Sequence, residues 1–329
     1  MSLMINGEMH EDWLESETED GEFVRKESQF RNWITPDGSP GPSGEGGFAA
    51  EPGRYHLYIC YACPWAHRTL IFRKLKQLED LISVDVVHPY MDPKGWHFDP
   101  AFPGATPDTV NGKNYLYEVY ARANPNYTGI ITVPTLWDKK QQTIVNNESA
   151  EIIRMFNSAF NELTGDRQDF YPPELHEAID AINAPIYDTL NNGVYRCGFA
   201  QTQAAYDKAY DSLFSTLEML EDRLAQQRYL VGDRLTEADW RLFPTLIRFD
   251  AVYYSHFKCN KRRIIDYPNL SNYMRELYQY PGIRDTVNLD HIKYHYYASH
   301  ESINPTGIVP KGPELDFDAA HDRNRFSKR

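Results

Sequence analysis

Residues 55–75 read YHLYICYACPWAHRTLIFRKL. Tyr55, Leu57 and Ile59 alternate with their neighbours at period two, the pattern of a strand. Pro64 suits the first position of a helix, and Leu70, Ile71 and Leu75 then recur at helical spacing with Arg68, Arg73 and Lys74 between them. A second short β-branched run at 81–87 completes β-α-β. This handover puts Cys63 at the N-cap, where unpaired N–H groups and the positive end of the helix dipole favour a thiolate. Such a setting brings a cysteine pKa from about 8.5 into the range of about 3.5–7.5. Strand, Cys, Pro and helix fall in the order of a redox site; a buried cysteine before an ordinary proline is the plainer alternative. Cys60 spells C-x-x-C with Cys63, yet it ends the strand, and the residue three beyond Cys63 is Ala66. The resolving thiol is missing from its usual place, which points to one-thiol chemistry resolved from outside. Cys60, Cys197 and Cys259 read as core residues, and His67 as a partly exposed polar residue rather than a base.

Beyond this unit comes an insert at 89–127, containing Trp96 and a short helix at 115–123. Residues 133–137 and 143–145 read as a hairpin, and 148–156 as a helix, giving β-α-β-(insert)-β-β-α. A cis peptide at Pro134 would leave the preceding backbone open to an extended, peptide-like ligand, although an edge-strand proline reads the same way. Glu148 and Ser149 open a helix, so Ser149 can hold a carboxylate while Glu148 pairs with an ammonium, or the acid is simply a favourable cap. From Pro173 the pattern is helical alone, over 175–191, 203–227, 237–254 and 270–280. Within it Thr236 suits an N-cap, Asp239 can bond back to it, and Leu235 and Trp240 occupy the staple positions. The expected organisation is an N-terminal arm and Gly/Pro-rich loop (1–52), an α/β domain (53–160), an all-helical domain (172–300) and a tail (301–329).

At 329 residues the chain has the length of about two domains. Lys and Arg number 34 against 47 Asp and Glu, so the net charge is −13, the wrong sign for a general nucleic-acid or anionic-membrane binder. Four cysteines do not make a disulfide framework. The acidic first thirty residues carry no segment of signal-peptide type, and no run of 18 apolar residues occurs. These features lead us to expect a soluble, cytoplasmic protein. The 23 tyrosines exceed what a core needs and suggest an aromatic-lined pocket.

Cys-Pro at the first helix, Val-Pro before the hairpin, Glu-Ser at the next helix and the Leu-Thr-Glu-Ala-Asp cap together resemble a glutathione transferase. Gly46-Gly-Phe48, Cys63-Pro-Trp-Ala-His-Arg68, Phe102-Pro-Gly-Ala105, 147-NESAEIIRMFN-157, Asn191-Asn-Gly-Val-Tyr195 and 303-INPTGI-308 are similar to the glutathionyl-hydroquinone reductases, the Xi-class transferases. The resemblance extends from about Phe30 to Ile308. It implies a thioredoxin-like N-terminal domain followed by an all-helical domain, with Cys63 as nucleophile and glutathione as co-substrate. Trp96, the backbone of Ile130, Ile131, Thr132 and Val133, Glu148 and Ser149 are implied to bind glutathione. Tyr195 is implied as proton donor or acceptor, with Tyr253 and Tyr296 helping to hold Cys63 as thiolate. No metal is implied, and the resemblance suggests a homodimer. The net charge of −13 calls for local cations, among them Arg68 and Arg73, where anionic glutathione binds. The implied reaction reduces a glutathionyl-hydroquinone through a Cys63–glutathione mixed disulfide. An omega-like thioltransferase or dehydroascorbate reductase using the same thiol is the enzymatic alternative. A non-catalytic ligand-binding protein with a transferase-like fold is the other.

Overall fold

A computed structural model of the protein describes residues 2–10 and 17–326, so the stretch 11–16 of the arm and the end of the tail lie outside the described residues. The chain divides into two compact units, 1–17 with 26–168 and 290–295, and 18–25 with 169–289 and 296–329. Four short strands precede the Gly/Pro-rich loop: β1 (Ser2–Ile5), β2 (Glu8–His10), β3 (Thr18–Glu19) and β4 (Glu22–Phe23). The sequence reading gave only an arm here. Both hairpins turn on residues with positive φ, Asn6 (+50°) with Gly7 (+83°) and Asp20 (+50°) with Gly21 (+81°). Asn-Gly and Asp-Gly are the pairs that a tight hairpin turn demands.

The first unit is built on a four-stranded mixed sheet. β5 (Tyr55–Ile59) leads into α1 (Pro64–Leu75) and β6 (Ile82–Val86), and β5 and β6 pair in parallel, Tyr55 opposite Ile82 and Ile59 opposite Val86. The insert carries α2 (Leu116–Ala123). β7 (Gly129–Ile131) joins β1 and β2 in a separate sheet, and β8 (Thr135–Asp138) and β9 (Thr143–Asn146) extend the main one in the order β6-β5-β8-β9. All five residues of β5 are buried, as expected of an interior strand. α3 (Ser149–Ser158) packs against α1, and α4 (Asn161–Thr164) follows. The hairpin strand begins at Thr135, two residues later than the sequence reading, because Pro134 offers no N–H to a ladder. The insert is tied to the sheet by buried polar groups: Tyr58 Oη donates to Asp108 at 2.8 Å and Thr109 N to Asp85 at 2.7 Å. His291 and His295 bond the carbonyls of Pro103 (2.8 Å) and Pro89 (2.9 Å). These bonds place 290–295 with the first unit.

The second unit is helical: α5 (His176–Ile186), α6 (Gly193–Gly198), α7 (Gln203–Gln226), α8 (Glu237–Arg248), α9 (Pro268–Tyr278) and α10 (Leu289–Ser299), the last shared between the two units. The two long helices read at 175–191 and 237–254 are interrupted. Each holds a proline, Pro185 or Pro244, that removes an N–H. Downstream the bonds widen to i−5, Asn192 N to Tyr187 O at 3.0 Å and Tyr254 N to Phe249 O at 2.9 Å. These are π-turns, a feature that recurs at functional sites. The tail folds back here: the buried Arg323 guanidinium donates to the carbonyls of Leu224, Gln227 and Arg228 at 2.6–2.7 Å, satisfying the C-terminal end of α7.

The cap read at Thr236 is the polar centre of this unit. Asp239, with no exposed surface, accepts from Thr236 N (2.8 Å), Thr236 Oγ1 (3.2 Å), Leu230 N (2.9 Å) and Tyr273 Oη (2.7 Å). Burial pushes its carboxyl up to about 6 against those four donors. Between about 3.8 and 6 the folded chain holds a proton that the unfolded chain has released, so this group's contribution to stability falls as pH rises through that window. Asp239→Ala strands these four buried donors and is expected to cost about 3 kcal/mol at pH 7, read as a lowered urea midpoint. Asp239→Asn is expected to remove the pH dependence.

Candidate active site

Cys63 caps α1 in an extended conformation (φ −75°, ψ 121°) with Pro64 in the first turn. Its side chain is half-buried, whereas Cys60, Cys197 and Cys259 are buried. Burial pushes the Cys259 thiol far up from its ordinary range, and Cys63 is the one cysteine of the four that is not buried. Its Sγ lies 3.3 Å from the carbonyl of Val133, whose peptide bond to Pro134 is cis. The expected geometry is therefore present, with Val133 beside the thiol. His67 is only 1% exposed; it is a buried residue of α1, not the partly exposed one expected. Arg73 lies ten residues on, about 15 Å along the axis, and donates to the carbonyls of Ile82 (2.7 Å) and Glu79 (3.0 Å). It holds the end of the β-α-β unit and does not serve the thiol.

Arg68 is the cation that does lie near. It is buried, stacks over the Trp65 ring at 4.6 Å, and its Nη1 is 3.5 Å from Ser149 Oγ at the start of α3. Ser149 is buried and Glu148 is half-buried at the N-cap, one carboxylate oxygen accepting from Ala150 N at 3.1 Å. Its other oxygen accepts from Ser28 Oγ at 3.2 Å, a partner that sequence reasoning missed. Ser28 Oγ is also 3.2 Å from Asn147 O, so its single proton is shared between the two acceptors, and Phe30 exchanges backbone and side-chain bonds with Asn147. A strip of the arm thus buttresses the turn that carries Glu148.

The backbone of Ile130–Thr132 is largely committed to the protein itself. Ile130 and Ile131 pair with Leu3 and Ser2 of β1, Ile130 O accepts from Tyr127 Oη at 3.1 Å, and Thr132 O accepts from Tyr120 Oη (2.9 Å) and Thr135 Oγ1 (2.7 Å). Val133 differs, since among the described residues its N–H donates to no other backbone group. Trp96 is 4% exposed and stacks on His295 at 4.9 Å, and its indole N–H is buried without a partner among the described residues. A buried donor of this kind is costly unless something accepts from it. The structure joins Cys63 to Val133 and Arg68 to Ser149 directly; among the described residues the Trp96 indole N–H bonds to neither pair.

The three tyrosines belong to the second unit and form one hydroxyl chain. Tyr195 Oη is 2.6 Å from Tyr296 Oη, which is 3.0 Å from Tyr253 Oη. Tyr195, on α6 just after the first π-turn, is 8% exposed; Tyr296 is 1% and Tyr253, at the end of the second π-turn, 0%. Burial holds the Tyr253 and Tyr296 phenols far above their ordinary range, so both are neutral donors. A hydroxyl carries one proton. If the most buried, Tyr253, gives its proton to Tyr296, and Tyr296 gives its own to Tyr195, no buried proton is stranded and Tyr195 stands at the outer end.

With this geometry in hand, the comparisons with known proteins are specific. The family models "Glutathione S-transferase, N-terminal domain" and "Glutathione S-transferase, C-terminal domain" match residues 62–159 and 203–276. The chain is 57% identical to glutathionyl-hydroquinone reductase YqjG of Escherichia coli over 98% of its own length and 99% of the relative's. It is 54% identical to glutathionyl-hydroquinone reductase PcpF of Sphingobium chlorophenolicum over 95% and 96%. Among solved structures it is similar to the glutathione-bound YqjG (TM-score 0.91, 55% identity, 98% and 99% covered) and to a Xi-class transferase from Natrialba magadii (TM-score 0.92, 50% identity, 99% and 98% covered).

Proposed function

The chain belongs to the glutathione transferases, in the Xi class with the glutathionyl-hydroquinone reductases, and from that membership we propose how its residues carry out the reduction. The protein reduces glutathionyl-hydroquinones to hydroquinones at the expense of glutathione. The Cys63 thiolate attacks the sulfur of the conjugate. A Cys63–glutathione disulfide forms, the bond from sulfur to ring carbon breaks, and that carbon keeps the electron pair and takes a proton from Tyr195. A second glutathione thiolate attacks the glutathione sulfur of the mixed disulfide, releasing oxidised glutathione and restoring Cys63. Tyr296 and Tyr253 serve the outer hydroxyl of their chain. We assign Glu148 to the ammonium of glutathione, Ser149 with the start of α3 to a carboxylate, the Val133 backbone to the peptide portion, and the Trp96 indole to an acceptor on the same ligand.

The observation that carries this reading is the half-buried thiol at a helix N-cap, 3.3 Å from the carbonyl before a cis proline, among four cysteines of which the other three are buried. No described helix is long and apolar enough to cross a membrane. We place the protein in the cytoplasm, as a homodimer; size-exclusion chromatography with light scattering tests the assembly. The reaction is tested by mass spectrometry of wild type and Cys63→Ala with a glutathionyl-hydroquinone, before and after adding glutathione. A glutathione adduct on Cys63, removed by free thiol and matched by released hydroquinone, is expected. An adduct from simple glutathione disulfides with no hydroquinone from the conjugate would indicate a thioltransferase, and a bound but unchanged conjugate a binding protein.

The Ser28 contact yields a separate expectation. Removing one hydrogen bond to a half-buried carboxylate is worth about 1 kcal/mol. Ser28→Ala is therefore expected to weaken glutathione binding roughly fivefold by calorimetry, with kcat at saturating glutathione unchanged.

A further inference from the structure

Tyr195 is enclosed by aromatic rings, Phe23, Phe199, Tyr253 and Phe257, with centroids 5.6–6.3 Å away. A cation closes this shell. The Arg25 guanidinium carbon lies 5.2 Å from the Tyr195 ring centroid and 5.4 Å from that of Phe23. Arg25 follows β4, whose Phe23 is 2% exposed and packs on Phe199 at 5.6 Å, so the strand segment is anchored to the helical unit. Arg25 Nε donates to Asn192 Oδ1 at 3.0 Å. Asn192 is itself 4% exposed, and its carbonyl accepts from Tyr195 N at 3.0 Å and Arg196 N at 2.9 Å. One residue therefore fixes, through its side chain, the guanidinium and, through its backbone, the turn of helix that carries the ring.

A positive charge beside a phenol favours the phenolate, and a guanidinium over the ring face is held there by the ring's own electron density. We propose that Arg25, fixed by Asn192, is a positioning residue that makes Tyr195 the stronger acid and so speeds delivery of its proton to the ring carbon. This rests on the reading of Tyr195 as proton donor. The titratable groups facing Tyr195 are Arg25 from the arm, Tyr253 from the π-turn and Tyr296 from α10, with Arg248 acting on the latter two and His300 packed against Phe199 and Tyr296. Tyr253 and Tyr296 stay neutral, so Arg25 is the charge directly against the ring whose removal changes its field.

The test uses the full-length protein as Arg25→Leu and Arg25→Lys, each alone and combined with Tyr195→Phe. Two quantities are measured: hydroquinone release against pH, and the titration of tyrosine ring carbons by NMR, with Tyr195 identified by its loss in Tyr195→Phe. A donor must be protonated, so activity falls above its pKa; removing the cation raises that pKa and weakens the acid. Arg25→Leu is expected to slow release about tenfold and to move both the basic limb and the Tyr195 titration up by about one pH unit. Arg25→Lys should restore most of the rate, and Arg25→Leu should add nothing in the Tyr195→Phe background. An unmoved Tyr195 titration in Arg25→Leu, or the same rate loss in both backgrounds, would overturn the proposal. A wild-type rate in Tyr195→Phe would instead overturn the donor reading on which it rests.

Discussion

Cys63→Ser is expected to lower glutathionyl-hydroquinone turnover by at least about a thousandfold while leaving glutathione binding within about twofold. The chemistry requires a sulfur that can form and then release a disulfide; an alkoxide in its place has no such exchange available. The serine keeps the N-cap position and its β-region backbone, and serine is a better cap than cysteine, so the fold should not suffer. The buried cysteines make the same variant a labelling control. In wild type at pH 6, iodoacetamide should modify one thiol per chain, and in Cys63→Ser none, because Cys60, Cys197 and Cys259 are 0–2% exposed. The proposed mechanism requires Cys63 as thiolate, a form that a helix N-terminus favours, so its labelling at that pH is expected to outpace that of an ordinary thiol. Slow labelling with full turnover would contradict the thiolate, and substantial turnover in Cys63→Ser would contradict the covalent step.

What the sequence discloses of this site is whatever depends on neighbours along the chain. The turn from β5 into α1 is set by Ile59, Cys63 and Pro64 within five residues, and the Thr236–Asp239 cap by a spacing of three. Those elements were legible for that reason. The Asn6-Gly7 and Asp20-Gly21 turns were equally local, but their strands run only two to four residues and offer too little alternation to mark a strand. Other features arise only from packing. Tyr195 and Tyr296 meet across 101 positions and Ser28 and Glu148 across 120. The commitment of Ile130 and Ile131 to β1 depends on a strand more than 120 residues away, which nothing in their own neighbourhood of the sequence announces. The π-turns show a further limit. Pro185 and Pro244 announce a disturbance, but its position downstream is fixed by how each helix packs.

Tyr195→Phe is expected to lower kcat for the conjugate by about a hundredfold or more, the usual weight of a general acid, and to leave the exchange of simple glutathione disulfides nearly unchanged. The difference follows from the leaving group. When Cys63 attacks a disulfide, the departing thiolate is stable near neutral pH and needs no proton in the transition state. When it attacks the sulfur of a glutathionyl-hydroquinone, the departing atom is a ring carbon, which cannot leave with its electron pair unless a proton arrives. Only the second reaction should therefore register the loss of the hydroxyl. Phenylalanine fills the same space within the rings of Phe23, Phe199 and Phe257, so the change costs stability only through the buried Tyr296 hydroxyl left without its acceptor, about 1–3 kcal/mol. The wild-type enzyme should show a solvent deuterium isotope effect on hydroquinone release that the slower variant alters, whereas disulfide exchange should show the same small effect in both. Equal losses in the two reactions would assign Tyr195 to the shape of the pocket. A loss confined to the conjugate would place the proton on the phenol at the outer end of the chain, with Tyr296 and the fully buried Tyr253 behind it to stabilise the phenolate it leaves.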